Sequence, residues 1–242
     1  MLANKISMQP INVTCVEYDG TNEFFTVLLN DGRTGKIHKS EMSIYPLKID
    51  KQIDALIGKD MRAVVLEDDG NTIWLTRKPV MEQALKEFEK EPMGKILKVT
   101  ITSASDVALY CDLGDGISGI IYKNDIITAP FSYPTDVYPV GSVIEAKIKC
   151  YKKEKAFFTL SHKDVFSKQK SCYYKGMHLN GIIRSPILKQ GVITGYFVEV
   201  TPAISGILDV NDSIHMDNGE KIPMVVNDIT SKGLKLRLEY PN

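Results

Sequence analysis

The sequence predicts an all-β protein of three tandem five-stranded barrels, with a short helix between the first and the second. One short pattern occurs three times, as Arg33-Thr34-Gly35-Lys36-Ile37-His38-Lys39-Ser40-Glu41, Ile117-Ser118-Gly119-Ile120-Ile121-Tyr122-Lys123-Asn124-Asp125 and Ile204-Ser205-Gly206-Ile207-Leu208-Asp209-Val210-Asn211-Asp212. The anchoring glycines stand 84 and then 87 residues apart. That period belongs to whole small domains rather than to solenoid units of about 20 to 50 residues. Within each copy apolar and polar residues alternate, the signature of strands with one buried face.

The first repeat, residues 1–79, has strand-like runs at 12–18, 24–29, 33–38, 61–66 and 72–76. Asn30-Asp31-Gly32 supplies the turn residues between the second and third, and residues 49–57 suit a helix. A linker helix is expected over 80–92. Pro79 fits a first helical turn, Met81, Ala84, Leu85 and Phe88 form one apolar stripe, Glu82 and Lys86 can pair at i,i+4, and Pro92 stops it. The second repeat, 93–165, has strands at 95–101, 107–113, 117–122, 143–150 and 156–161. Gly114-Asp115-Gly116 forms its turn, and Pro130, Pro134 and Pro139 mark a proline-rich link between its third and fourth strands. In the third repeat, 166–242, residues 195–200 match the second strand, Thr201-Pro202-Ala203 the turn, and the third-to-fourth link shrinks to 213–218. This copy is the most degenerate. Five strands in about 75 residues are enough to curl into a closed barrel, which removes exposed sheet edges.

The chain has 30 basic and 30 acidic residues, with 43% hydrophobic and 25% charged, the composition of an ordinary globular protein. Net charge drifts from −1 over 1–79 and −2 over 80–92 to +1 over 93–165 and +2 over 166–242. Lys147, Lys149, Lys152, Lys153 and Lys155 fall close together, either as a solvated face or as a phosphate-binding rim. Cys15, Cys111, Cys150 and Cys172 are scattered, with Cys111 and Cys150 in strands as small core residues. No run reaches the roughly 18 apolar residues of a membrane span, and the first ten residues lack a basic start followed by an apolar core, so a cytoplasmic protein is expected. No catalytic pattern stands out. His162, His178 and His215 have no partner at metal-ligand spacing, and there is neither a phosphate loop nor a nucleophile elbow. The expectation is a protein that is not an enzyme and holds neither cofactor nor metal.

Gly35-Lys36-Ile37-His38-Lys39-Ser40-Glu41 closely resembles the third strand of the S1-type RNA-binding domain, which reads Gly-Leu-Val-His-x-Ser-Glu. Gly119-Ile120-Ile121-Tyr122-Lys123-Asn124-Asp125 resembles it in kind, and Gly141-Ser142-Val143-Ile144 and Leu160-Ser161 match the fourth-strand opening and the fifth-strand end. The likeness extends over almost the whole chain in three copies, similar to the repeats of bacterial ribosomal protein S1. It implies the OB fold and single-stranded RNA bound on the outward patch of the second and third strands.

Carried over, the base-stacking positions are Tyr110 and Tyr122 in repeat two, Thr26 and His38 in repeat one, and Phe197 and Asp209 in repeat three. Only repeat two keeps rings at both. Strand alternation agrees, since Leu109 and Cys111 inward put Tyr110 outward, and Ile121 inward puts Tyr122 outward. A stacked base contributes about 1–3 kcal/mol whatever its identity. Phe24 lies two residues from Thr26 on the same face and can substitute, and Phe157 is expected beside the central platform. Lys39, Lys123 and Asn124 follow in the same motif and join the expected RNA contacts. Lys152, Lys153 and Lys155 are expected in the turn between the fourth and fifth strands, one of the loops that flank an OB groove. Repeat two is thus the main platform and repeat one auxiliary. Repeat three, with a carboxylate at Asp209, is structural or contacts the ribosome or another protein. The alternatives are a protein-interaction scaffold of barrels that have lost nucleic-acid binding, or a single-stranded DNA-binding protein.

Overall fold

The computed structural model describes residues 9–47, 50–153, 157–210 and 214–239. All fifteen of their strands close into three five-stranded barrels. The first contains β1 (Ile11–Asp19), β2 (Phe24–Leu29), β3 (Thr34–His38), β4 (Asp60–Asp68) and β5 (Ile73–Thr76). The second contains β6 (Ile96–Ser105), β7 (Ala108–Asp112), β8 (Ser118–Tyr122), β9 (Val143–Lys152) and β10 (Phe157–Ser161). The third contains β11 (His178–Lys189), β12 (Val192–Thr201), β13 (Ile204–Asp209), β14 (Lys221–Ile229) and β15 (Leu234–Leu238). In each the first strand pairs with both the second and the fourth, and the third runs parallel to the fifth. This is an all-β chain of three OB-like barrels.

Closure depends on a bend in each opening strand. Register shifts between Cys15 and Glu17, Ile101 and Ser103, and Ile183 and Pro186 place a bulge there. A bulge adds twist, which lets one strand serve two neighbours. Period-two alternation fills the interiors, with Val13, Cys15, Phe25 and Ile37 buried in the first barrel and Val99, Ile101, Leu109, Ile121, Phe158 and Leu160 in the second. The third barrel has its own core of Ile183, Tyr196, Val198, Leu208, Met224 and Leu236. The buried Tyr196 hydroxyl donates to the Ile214 carbonyl at 3.3 Å and accepts the Met216 amide at 3.1 Å. The third repeat is degenerate in its outward residues and complete as a barrel.

The repeated glycine has a packing reason. A Cβ on Gly35 would overlap Leu75 Cδ1 and come within 3.1 Å of the Ile73 carbonyl, and one on Gly206 would stand 2.7 Å from Leu236 Cδ1 and 3.1 Å from the Leu234 carbonyl. Both glycines sit where the third strand runs against the fifth. Overpacking such a site costs about 1–3 kcal/mol, so Gly35→Ala is expected to lower stability by that amount in urea unfolding. A change within about 0.5 kcal/mol, as at an ordinary surface site, would contradict the packing argument.

The chain divides into two compact units, Met1–Glu91 with Leu113–Ile117, and Pro92–Asp112 with Ser118–Asn242. In the first unit β3 leads into helix α1 (Lys39–Met42), followed by α2 (Asp50–Asp54). The Arg77 amide donates to the Glu41 carbonyl at 2.9 Å, joining the end of β5 to α1. Helix α3 runs over Lys78–Lys90, two residues earlier than expected, and buries Val80, Met81 and Ala84. No ion pair joins Glu82 to Lys86 among the described residues; Gln83 Nε2 donates to Glu87 at 3.0 Å instead.

In the second unit the proline-rich 126–139 link bonds the second and third barrels together. The Thr128 amide donates to the Pro202 carbonyl at 2.8 Å, and Ser185 Oγ to the Pro130 carbonyl at 3.0 Å. Arg184 Nη1 donates to the Asp136 carbonyl at 3.3 Å, while its Nε and Nη2 hold Glu199 Oε2 at 2.7 and 2.6 Å. Both side chains of that ion pair are about 95% buried (6% and 5% exposed).

Candidate nucleic-acid interface

The outward face of β7, β8 and β10 carries the two tyrosines expected to stack bases. Tyr110 lies opposite Ile120, and Tyr122 opposite Ala108, so the two tyrosines are diagonal neighbours with Ile120 between them. Diagonal cross-strand neighbours are spaced about 7–8 Å apart, within reach of aromatic side chains. Tyr110 is 39% and Tyr122 43% exposed, so neither ring is sealed under a neighbouring element. Thr159 faces Ile120 from β10, nearly buried, with no hydrogen-bond partner for its hydroxyl among the described residues. Phe157 is half-buried opposite Lys152 and two residues before Thr159. That register puts it at the Ser118 end of the face, the end away from Tyr122.

The lysines are more engaged than the sequence suggests. Lys123 Nζ donates to the Ser132 carbonyl at 2.6 Å and lies 5.2 Å from the Phe131 ring centre. Lys149 pairs with Asp125 at 2.9 Å, and Lys168 with Asp164 at 2.5 Å. The exposed Asn124 accepts the Lys163 ammonium at its carbonyl. Lys152 is the exposed last residue of β9 rather than part of the turn, Lys153 is exposed just after it, and Lys155 lies outside the described residues.

The first barrel presents a second ring face that sequence reading underrated. Phe24 lies opposite His38, and Lys36 lies opposite both Thr26 and Trp74. Phe24 and Trp74 meet edge to face at 6.3 Å, with Lys36 Nζ 4.1 Å from the Phe24 ring centre and 6.0 Å from that of Trp74. Trp74 and Lys36 are the residues sequence reasoning missed. The signal was present, since Trp74 alternates with buried Ile73 and Leu75 and so must point outward. His38 is exposed and caps α1, accepting the Ser40 amide at Nδ1. Lys39 pairs with Glu23 at 3.5 Å. In the third barrel Phe197 is half-buried opposite Ile207, with exposed Asp209 opposite Gly195 and exposed Lys235 opposite Ile207.

Titratable groups elsewhere are structural. His162 is buried, with Nδ1 2.6 Å from the Glu145 carbonyl and Nε2 2.7 Å from the Tyr138 hydroxyl. Burial holds its pKa below the usual imidazole value, so the neutral ring donates from Nδ1 and accepts from Tyr138. Burial, then the nearby Glu199 charge, pushes Tyr138 up to about 12. Burial likewise raises Cys15 to about 11 and Cys111 to about 12, so both remain core thiols. Cys150, expected in a core, is half-buried, and Cys172 is exposed. Among the described residues no cluster of three metal-ligating side chains occurs, and no helix is long and apolar enough to cross a membrane.

No family model matches the chain. The small ribosomal subunit protein bS1 of Leuconostoc lactis is 28% identical over 189 residues, covering 71% of this chain and 43% of its own length. That of Rhizobium meliloti is 23% identical over an alignment of 247 residues, covering 90% of this chain and 41% of its own. A solved multidomain protein with nucleic acid binding domains from Streptococcus pneumoniae covers 100% of this chain and 76% of its own at 14% identity, with a TM-score of 0.32. The chain spans less than half the length of the curated relatives it matches. The chain holds three OB-like barrels and is similar in sequence to bacterial ribosomal protein S1.

Proposed function

We propose that the chain is a non-enzymatic single-stranded RNA-binding protein of the translation apparatus or of mRNA handling, working in the cytoplasm. The observation that carries this reading is the diagonal pair of exposed tyrosines on the second barrel. Bases stack on them irrespective of sequence, and tyrosine hydroxyls add hydrogen bonds to phosphate or ribose. The Phe24, Trp74 and His38 face of the first barrel supplies a second platform, where Lys36 exchanges its place over the Phe24 ring for a phosphate. Lys152 and Lys153 neutralise phosphates at the rim of the second. The relatives named as ribosomal protein bS1 support the RNA setting. The third barrel, with Asp209 in place of a ring, contacts the ribosome or another protein.

A scaffold that has lost nucleic-acid binding is the second reading, favoured by the lysines already bonded to protein oxygens and by zero net charge. Titration of labelled RNA and DNA oligonucleotides at two salt concentrations separates them. Affinity is expected to fall with salt, with a logarithmic slope of about −0.7 per phosphate engaged, and more tightly for RNA than DNA. Absence of any salt-sensitive binding would leave the scaffold.

A further inference from the structure

A cavity of about 390 Å³ opens at the end of the first barrel's ring face, lined by His38, the start of α1 and residues 43–47. Phe24 pairs directly with His38, and Glu23, the residue before it, also lines the cavity. A strand lying across Phe24 and Trp74 therefore reaches this opening with its next unit. The volume lies within the range of sites for small organic ligands, about 300–1,000 Å³.

Its lining is chemically mixed. Ile44, Pro46 and Leu47 contribute apolar surface to the lining, and His38, Lys39, Lys78 and Glu23 contribute polar and charged groups. His38 Nδ1 accepts the Ser40 amide at 3.2 Å, which leaves Nε2 as the ring's available donor. Lys39 is held by Glu23 at 3.5 Å, a pair exposed enough for phosphate to compete with it. Lys78, also lining the cavity, is fixed differently. It bonds Glu41 at 3.0 Å, and Glu41 is itself held ionised by the Thr76 hydroxyl, then by Lys78. One exchangeable cation and one imidazole donor, with apolar surface in the same lining, match a phosphate joined to a base.

The geometry points to a nucleotide-binding pocket that takes the unit adjoining the bases stacked on Phe24 and Trp74. Its phosphate meets Lys39 and His38 Nε2–H, and its base lies against Ile44, Pro46 and Leu47. The inference rests on the RNA-binding reading of the ring face.

Trp74 is the chain's single tryptophan, so its fluorescence reports on the first barrel alone. Oligoribonucleotides of two to four units, with free nucleoside monophosphate alongside, are titrated against the full chain, Ser43→Phe and Lys39→Met. Affinity is expected to rise about tenfold from the two-unit to the four-unit oligomer, the increment of one further base contact. Ser43→Phe, which fills the cavity, removes that increment and leaves two-unit binding unchanged, while Lys39→Met reduces it and lowers the salt slope. Free monophosphate competes for the increment only. An increment that survives both variants, or no increment at all, overturns the pocket while the ring face stands. No Trp74 response to any oligomer overturns the ring face and the pocket together. Circular dichroism checks the fold of each variant, and Lys39→Met decides alone should Ser43→Phe unfold.

Discussion

Truncating Arg184 to alanine is expected to destabilise the second compact unit by about 3–5 kcal/mol, because it strands a buried carboxylate. The Glu199 side chain is 5% exposed, and its Oε2 receives both Arg184 bonds. The Asp136 carbonyl loses its guanidinium donor in the same step. Urea unfolding measures the loss as a lower midpoint. Glu199→Ala should cost a similar amount, and the double variant Arg184→Met with Glu199→Leu should recover most of it, because removing both charges leaves nothing unpaired. A loss below about 1 kcal/mol for Arg184→Ala, the level of an exposed pair, would show that water reaches Glu199. The 126–139 link that Arg184 grips also contains Ser132, the partner of Lys123 beside Tyr122. Interface and platform are thereby joined through one segment.

Tyr110→Ala and Tyr122→Ala are each expected to weaken RNA binding by about 1–3 kcal/mol, roughly 5- to 150-fold. Each residue is about two-fifths exposed and three-fifths covered, so truncation should also cost about 1–2 kcal/mol of fold stability, which urea unfolding reads separately from binding. Phenylalanine at either position keeps the stacking surface and should retain most of the affinity. The two tyrosines share one face, so the double variant should lose less than the sum of the single losses where both rings contact one base. Unchanged affinity in both single variants would shift the binding to the Phe24, Trp74 and His38 face. Trp74→Ala would then show the loss instead.

Much of the fold is legible along the chain because period-two alternation records which side of each strand is buried. Tyr110 and Tyr122 follow directly, each flanked by core residues such as Leu109, Cys111 and Ile121. Trp74 was harder, because β5 meets β3 only through a parallel pairing between segments nearly forty residues apart. Its neighbours Lys36 and Phe24 are set by that register, not by local pattern. The third repeat, degenerate in its outward residues, closes as the expected barrel. Loss of outward rings says nothing about the inward residues that close a barrel.

Three copies of a small barrel, the linker helix and the outward direction of the central tyrosines are readable along the chain, because those features are written in spacing and alternation. Which lysines are already bonded, the joint burial of Arg184 and Glu199 and the cavity beside His38 emerge only in the folded chain. Charge pairing and concavity arise between segments distant in sequence, and they exist only once strand register and loop packing bring those segments together.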